Sequence, residues 1–468
     1  MIKNSLVNGL GLTFPIVAAI LCIPPIFAIL GEENSGLLLL IWAIVNSSAL
    51  LDFGLGRALT LYLAKADSNA DVSSIIGVAF WLSALIGAVF GMALYFGSTA
   101  LAAHLGKASA GPAFQAIAWS APFIIVTSIL RGVLEANRQF VIVNAIRIPT
   151  GTLNFVGPLL VVWFLQPDNA LVAWSLTLGR VLTFLLFFLF ACRNSTGSVW
   201  RVRNLNGSLS LISSGGWMTI SNMAGPVLNL VERFVIGSQL SFSVVTVYAT
   251  PQEFVSRLAI IPNAISITLF PELANNRLDE ASLSRIYINC LGVILVLIAA
   301  PTLAIVLFAH EILSIWLGVQ FALSSSATLQ VFAIGGLAGA LAQIPFVLIQ
   351  ARGGARFTGS LHLIEMTLFS LALIIAVSNW GLIGALVTWL IRCILDAIIL
   401  FLYASRFAKL RLHRDSVARL ALLAVTLACL PLMWVDSSWP RLAALVFVTG
   451  LSARSAAAIF RSGIGGRT

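Results

Sequence analysis

The sequence predicts an all-α, polytopic membrane protein, and two observations lead to that fold class. Hydrophobic residues make up 59% of the 468 residues and charged residues only 9%, whereas about a quarter of the residues of a soluble protein are charged. Apolar runs long enough to cross a bilayer as a helix, which takes about 18 residues, recur from one end of the chain to the other. The period-two alternation typical of a membrane β-barrel is not seen in these runs.

The apolar runs divide into about fourteen predicted transmembrane spans, numbered here in chain order: 9–30, 36–56, 72–98, 113–134, 141–165, 170–191, 210–236, 243–270, 284–308, 323–350, 358–378, 381–404, 416–434 and 439–458. The first six spans form a predicted N-lobe, residues 1–192, and a polar, basic linker follows at residues 193–208. Spans 7–12 form a predicted C-lobe, residues 209–405, and two further spans with a tail occupy residues 406–468. Because no loop is long enough for a soluble domain, the sequence disfavours an enzyme that acts on a soluble substrate.

The distribution of positive charge predicts the orientation of the spans. Most of the 27 lysines and arginines lie in loops on the side of the two termini, while the loops on the other side contain only Lys107 and Arg441. Cytoplasmic loops carry such an excess, so both termini are predicted to be cytoplasmic. The net charge of +10 is therefore interpreted as a topology signal, and nucleic acid is not expected as a partner.

Spans 4–6 and 10–12 form a weak internal repeat, with matching residues in the same order. Arg147 corresponds to His362, and Arg180 corresponds to Arg392. The aligned ends of spans 2 and 8 place Pro262 at the position of a glycine in span 2, and Pro262 predicts a kink in span 8. Parallel repeats about an axis normal to the membrane are a common transporter architecture, so the repeat favours two six-helix lobes.

A group of charged residues lies deep inside the predicted spans. A charge at the bilayer centre costs ~2.5–3.5 kcal/mol on insertion scales, so each one needs a partner or water. Arg180 and Arg392 lie at the same depth in the two lobes. Arg257 follows Glu253, and Asp396 follows Arg392, by one helical turn, which puts each pair on one helix face. Two interpretations stay open: internal ion pairs that join helices, or a hydrated, net-basic cavity at the midplane.

Other charged residues lie nearer the predicted cytoplasmic ends of the spans. Arg147 is close enough to that end for its side chain to reach the interface. Asp52 and Arg57 flank the cytoplasmic end of span 2, where they would point about 140° away from each other on a continuous helix. Glu365 is predicted at the level of Arg147. His362 is interpreted as a packed or hydrogen-bonded residue rather than a proton relay.

No catalytic or metal-binding motif is predicted. The segment GLGRAL lies in a membrane span rather than after a strand, and no P-loop occurs, so ATP hydrolysis by this chain is disfavoured. The five cysteines are scattered at no metal-ligand spacing and are interpreted as packing residues.

Two segments resemble a known group of transporters. The segment LLDFGLGRALTLYLAKA (Leu50–Ala66) resembles span 2 of the polysaccharide-transporter branch of the MOP exporter superfamily. The segment GGWMTISNMAGPVLNLVERFVIGSQLSFSVVTVYATPQEFVSRLAIIPNAISITLFPELA (Gly215–Ala274) resembles Wzx-type flippases of O-antigen and exopolysaccharide repeat units. The resemblance extends more loosely over residues 1–405.

The resemblance implies a two-lobed exporter with a cationic central cavity in the bacterial inner membrane. Such proteins move undecaprenyl-pyrophosphate-linked oligosaccharides between leaflets by alternating access, and they are not enzymes. Arginine's planar fork suits phosphate oxygens. Arg180, Arg392 and Arg257 are therefore the first predicted pyrophosphate contacts, with Arg147 and Arg57 as an access site on the cytoplasmic side.

No cofactor or metal is predicted, and the energy source stays open between H⁺ or Na⁺ coupling and the membrane potential. The residues considered for ion coupling or charge pairing are Glu253, Asp396, Asp52 and Glu365. Expected partners are a lipid-linked oligosaccharide and membrane lipids, with a polysaccharide polymerase and a chain-length regulator as further candidates. The alternatives are a multidrug exporter of the same superfamily, a polytopic membrane enzyme such as a glycosyltransferase, and a non-transporting scaffold.

Overall fold

The computed structural model of this chain describes residues 2–48, 55–56, 59, 63, 72–137, 139–194, 200, 202, 216–274, 279–408, 415–435 and 437–462. These residues are almost entirely helical, and no strand occurs among them. Eight helices in this part of the chain are long and apolar enough to cross a bilayer. The all-α, multi-pass membrane fold is therefore confirmed, while the predicted number of about fourteen spans is not.

In chain order, the helices are α1 (Ile2–Ser48), α2 (Val72–His104), α3 (Ala110–Ala118), α4 (Ala121–Ala136), α5 (Phe140–Phe164), α6 (Asn169–Asn194), α7 (Gly216–Gln239), α8 (Phe242–Ser256), α9 (Ile260–Leu273), α10 (Glu280–Leu307), α11 (Ala309–Leu317), α12 (Val319–Ala351), α13 (Ala355–Phe407), α14 (Asp415–Ala428) and α15 (Ser438–Ser462). Two of them contain a glycine with non-helical angles: Gly31 in α1 (φ 73°, ψ 167°) and Gly381 in α13 (φ 56°, ψ −136°). A continuous helix as long as α13 would be about 80 Å long, more than twice the ~30 Å core of a bilayer.

α13 is a helical hairpin that turns at Gly381. Residues at similar distances from the turn contact each other: the rings of Phe357 and Tyr403 stack with centroids 3.5 Å apart. Near the turn, Gly384 lies so close to the carbonyl of Ala376 that a Cβ would overlap it. The two halves of α13 correspond to the predicted spans 11 and 12.

The chain packs as two compact units, Met1–Thr246 and Val247–Thr468. The first unit has an apolar core among α2, α4, α5 and α6. The second unit has a larger core among α9, α10, α12, the second half of α13, α14 and α15. The predicted linker, residues 193–208, lies mostly outside the described residues, and the predicted lobe boundaries stay a prediction.

Predicted span 4 falls within the membrane-length stretch Ala110–Ala136, whose helix is broken after Ala118. The chain forms α3 and then α4, because Pro122 in the first turn of α4 has no N–H and its ring excludes the carbonyl of Ala118. Gly87 and Gly91 of α2 approach this junction so closely that a Cβ on either would overlap its backbone. The kink is thus fixed by packing as well as by proline.

Span 8 kinks close to Pro262, as the sequence predicts. After α8 the chain forms a short 3-10 helix, Arg257–Ala259, and then α9. Since Pro262 has no N–H, the carbonyl of Leu258 has no α-helical donor four residues later. The N–H of Ile260 donates to the carbonyls of Arg257 and Leu258 instead, which tightens the turn.

The second unit contains a helix that the sequence analysis missed. α11 lies between α10 and α12 and ends at Gly318, whose φ of 92° favours glycine. The N-terminus of α10 is capped by Asp279, whose carboxylate accepts a hydrogen bond from the N–H of Ser282 at 3.3 Å. Hydrogen bonding with Ser282 holds the pKa of the Asp279 carboxyl below its usual range.

Arg441 joins α15 to the helices beside it. Its Nε donates to the carbonyl of Val435 at 2.8 Å, and its Nη1 donates to the carbonyl of Leu307 at 3.2 Å. The same guanidinium forms an ion pair with Glu311 at 3.3 Å. The last two helices of the chain are thereby attached to the end of α10.

Candidate functional site

The turn of α13 brings together four polar side chains, which we call the His362 cluster: His362, Glu365, Arg392 and Asp396. Nε2 of His362 lies 3.6 Å from Oδ1 of Asp396, and both side chains are mostly buried. Oxygen or nitrogen atoms of His362, Glu365 and Asp396 all lie within 4.8 Å of one another. His362, interpreted from the sequence as a packed or hydrogen-bonded residue rather than a proton relay, is therefore the direct neighbour of two carboxyl groups.

Aromatic rings cover the His362 cluster. Phe346 of α12 stacks on the imidazole of His362 with centroids 5.5 Å apart. The guanidinium of Arg392 lies over the ring of Phe369, 5.3 Å from its centroid, and Nη2 donates to Sγ of Cys393 at 3.6 Å. Neutral, apolar surroundings strengthen the electrostatic interactions within such a cluster.

Arg180 has different surroundings. It lies in the middle of α6, and its Nε atom is buried without a hydrogen bond. Within the part of the chain that the structure describes, no ion pair involves Arg180. Burying a guanidinium without an anion is costly, so Arg180 still has donors to offer to an anionic ligand.

Arg147 is closer than Arg180 to the predicted cytoplasmic ends of the spans. Gly157 of α5 faces Ser175 of α6. At 1.5 Å per residue, this register places Arg147 about 7 Å nearer than Arg180 to the predicted cytoplasmic ends of the two helices. The side chain of Arg147 is exposed. α5 and α6 therefore present two arginines at different depths of the first unit.

The second unit presents Arg257 at the kink of span 8. The guanidinium of Arg257 forms an ion pair with Glu253 at 3.2 Å, and its side chain is 44% exposed. The predicted spacing on one helix face is thus confirmed for Glu253 and Arg257. Asp52 and Arg57 lie outside the described residues. The functional roles of all these residues stay predictions.

The structure also contains a polar contact that the sequence analysis missed, the Glu33 cluster of Glu33, Lys107, Ser243 and Thr246. The carboxylate of Glu33 accepts a hydrogen bond from the N–H of Ser243 at 3.0 Å, and it lies 3.5 Å from Nζ of Lys107. The hydroxyl of Thr246 donates to the carbonyl of Glu32 at 2.6 Å. The only signal in the sequence is a pair of glutamates directly after Gly31.

Arg233 makes a second contact between the same helices. It is almost completely buried, and its Nη1 donates to the carbonyl of Leu39 in α1 at 2.6 Å. Nearby, the rings of His104 and Phe234 stack with centroids 5.6 Å apart. These contacts join α7 and the first turn of α8 to helices of the predicted N-lobe.

The all-helical, multi-pass fold, with charged side chains wholly or partly buried in each unit, is typical of membrane transporters. The chain matches, over residues 29–326, a family described as "Polysaccharide biosynthesis protein", and it belongs to this family. The resemblance to the polysaccharide-transporter branch of the MOP superfamily is thereby confirmed.

Known proteins support this assignment. The chain is 29% identical over 417 residues to a candidate O-antigen transporter of Shigella flexneri, which covers 86% of this chain and 96% of that protein. The structure of the lipid II flippase MurJ in an inward closed conformation superposes with a TM-score of 0.72 and 14% identity, covering 99% of both chains. An inward-facing MATE multidrug transporter gives a TM-score of 0.71 at 14% identity, covering 85% of this chain and 97% of its own. At 14% identity, these two solved structures show that the fold is shared and nothing more about this chain.

Proposed function

We propose that this protein moves an undecaprenyl-pyrophosphate-linked oligosaccharide repeat unit across the bacterial inner membrane for the synthesis of surface polysaccharide, with both termini in the cytoplasm. Membership of a polysaccharide biosynthesis family and the name of the Shigella flexneri relative support a saccharide substrate. The fold shared with a lipid II flippase supports a lipid-linked one. The similar proteins are transporters, which agrees with a role in transport rather than catalysis.

Arg180 is the observation that carries the pyrophosphate part of the proposal. A pyrophosphate headgroup needs positive charge and hydrogen-bond donors while it crosses the bilayer, and guanidinium groups bind phosphate oxygens in a bidentate manner. The buried Nε of Arg180 has no hydrogen bond among the described residues. Arg147 and Arg57 are proposed to receive the headgroup on the cytoplasmic side. Arg392 and Arg257 have acidic neighbours, so their contribution to a basic cavity is smaller.

Alternating access is proposed as the route. The Glu33 cluster and Arg233 join α1 and the α2–α3 connection to α7 and α8 at the predicted extracytoplasmic ends. A conformation open to that side requires these contacts to break. Coupling to H⁺, to Na⁺ or to the membrane potential is proposed to drive the cycle, with Glu253, Asp396, Asp52 and Glu365 as candidate coupling groups.

The proposal is tested with Arg180→Ala in cells whose own flippase is deleted, scored by surface polysaccharide at equal protein level. Loss of charge-assisted hydrogen bonds worth ~1.5–3 kcal/mol predicts a decrease of about tenfold or more. Arg193→Ala is the matched control, because Arg193 lies exposed at the end of the same helix. Full complementation by Arg180→Ala combined with Arg392→Ala would remove both arginines from the mechanism.

The second candidate, export of a small cationic molecule, is favoured by the fold shared with a MATE multidrug transporter. Arg180 disfavours it, because a buried guanidinium repels a cation. Proteoliposomes distinguish the two functions: we expect movement of a labelled lipid-linked saccharide. Efflux of a cationic dye without saccharide movement would support the drug exporter instead.

A further inference from the structure

The His362 cluster has an unbalanced charge. With Glu365 and Asp396 ionised, Arg392 cationic and the imidazole neutral, the four side chains carry one net negative charge. The side chain of His362 is 14% exposed and that of Asp396 is 18% exposed. A net charge in an apolar, buried place is costly, so the cluster has capacity for one additional positive charge.

The helix packed along α13 does not supply that charge. α12 contains no acidic, basic or histidine residue from Val319 to Ala351, and it faces His362 with Phe346. On α13 itself the other titratable neighbour is Cys393, which accepts a hydrogen bond from Arg392. Oδ1 of Asp396 is buried and accepts no hydrogen bond from any described residue.

We propose that the His362 cluster is a binding site for a single proton, shared between the carboxyl groups of Glu365 and Asp396, with His362 as the group that delivers and accepts it. The proton enters on Nε2 of His362 and passes to Oδ1 of Asp396, leaving the imidazole neutral. Binding brings the net charge of the cluster to zero, and release restores the negative charge. The coupling of this proton to transport rests on the proposed function, whereas the site itself does not.

The composition of the cluster favours a proton over other cations. A divalent ion would leave a net positive charge next to Arg392. Sodium prefers a shell of oxygen ligands, and here a ring nitrogen and a guanidinium occupy two of the neighbouring positions. A proton needs only two acceptors close together, and oxygen or nitrogen atoms of the three titratable groups lie within 4.8 Å of one another.

Infrared difference spectroscopy of the full-length protein in lipid nanodiscs tests the site without any substrate. We expect the C=O stretching band of a protonated carboxyl group at neutral pH, sensitive to exchange into D₂O. The isosteric variants Glu365→Gln and Asp396→Asn should each lose this band, so the test requires only one of the two variants to fold. Glu311→Gln is the control, because Glu311 pairs with Arg441 outside the cluster, and it should keep the band.

Three results would overturn the site: a band that persists in either folded carboxyl variant, no band in the wild-type protein, or a band that Na⁺ or Zn²⁺ removes at constant pH. The last result would assign the cluster to a metal cation.

A transport measurement then tests the coupling separately. In proteoliposomes, a pH gradient should accelerate movement of labelled lipid-linked saccharide by the wild-type protein, and His362→Gln should abolish this acceleration. If His362→Gln keeps the full acceleration by the pH gradient, the proposed coupling of this proton to transport is wrong, even if the infrared band is present. If no saccharide moves at all, the proposed function fails, and the infrared result still decides the proton site.

Discussion

At the residue scale, Arg180 and Arg392 show that equal depth does not mean equal surroundings. The repeat in the sequence predicts both arginines at the same level of their lobes. In the structure Arg392 lies over the ring of Phe369 and donates from Nη2 to Sγ of Cys393, whereas no described ion pair or ring contact involves Arg180. Depth follows from counting residues along a helix, but the partners of a side chain depend on which helices pack against it. Only the depth of each arginine could be predicted from the sequence.

Gly335 gives a stability prediction at this scale. A Cβ on Gly335 would overlap the indole of Trp389, which is buried against Phe332 with ring centroids 4.5 Å apart. Gly335→Ala should destabilise the protein by about 1–3 kcal/mol through overpacking. Gly339→Ala is the control, since Gly339 lies one turn further along α12 with nothing within 4 Å of the added atom. Unfolding in mixed micelles measures both; equal stability of the two variants would contradict the packing.

Arg441 gives a second residue-scale prediction. Arg441→Gln removes hydrogen bonds to the carbonyls of Val435 and Leu307 and the ion pair with Glu311. Leaving these acceptors unpaired should lower the free energy of unfolding by ~1–3 kcal/mol. Arg454→Gln, on the exposed side of the same helix, should have no measurable effect. Proteolysis at the α14–α15 connection should also be faster in Arg441→Gln alone.

At the scale of the elements, the turn of α13 creates the His362 cluster. The sequence shows that Arg392 and Asp396 share a helix face, because that spacing is local. It does not show that His362 meets Asp396, because their contact depends on where the chain turns and on the rotation of two helices. Proline kinks are predicted better: Pro262 acts on its own helix, so the break in span 8 follows from one residue.

Gly381 gives the prediction at this scale. Its angles, φ 56° and ψ −136°, are strained for any residue with a Cβ. Gly381→Ala should therefore destabilise the hairpin by about 1–3 kcal/mol although open space surrounds the added methyl group. Gly450→Ala in α15 adds the same atom in equally open space at a helical position, and it should be neutral or slightly stabilising. Thermal unfolding of both purified variants checks this; equal melting temperatures would contradict the assigned turn.

At the scale of the whole molecule, composition and two motif-rich segments were sufficient to predict the fold class and the family. Hydropathy and charge counts are properties of the whole chain, so an error in the assignment of any one span changes them little. The number of spans is less secure, because breaks such as the one at Pro122 and extra helices such as α11 depend on packing. The Glu33 cluster could not be predicted, since it joins residues from three distant parts of the chain.

The Glu33 cluster gives the last prediction, which concerns the transport cycle. If the contact between Glu33 and Ser243, 3.0 Å from carboxylate to amide, must open in every cycle, then locking it should stop transport. A pair of cysteines, Glu33→Cys with Ser243→Cys, is introduced into a variant whose five native cysteines are replaced by alanine. Oxidation should abolish saccharide movement in proteoliposomes, and reduction should restore it. Each single cysteine is the control and should be insensitive to oxidation. Undiminished transport by a fully cross-linked protein would show that these helix ends stay together, and that access to the far side of the membrane opens elsewhere.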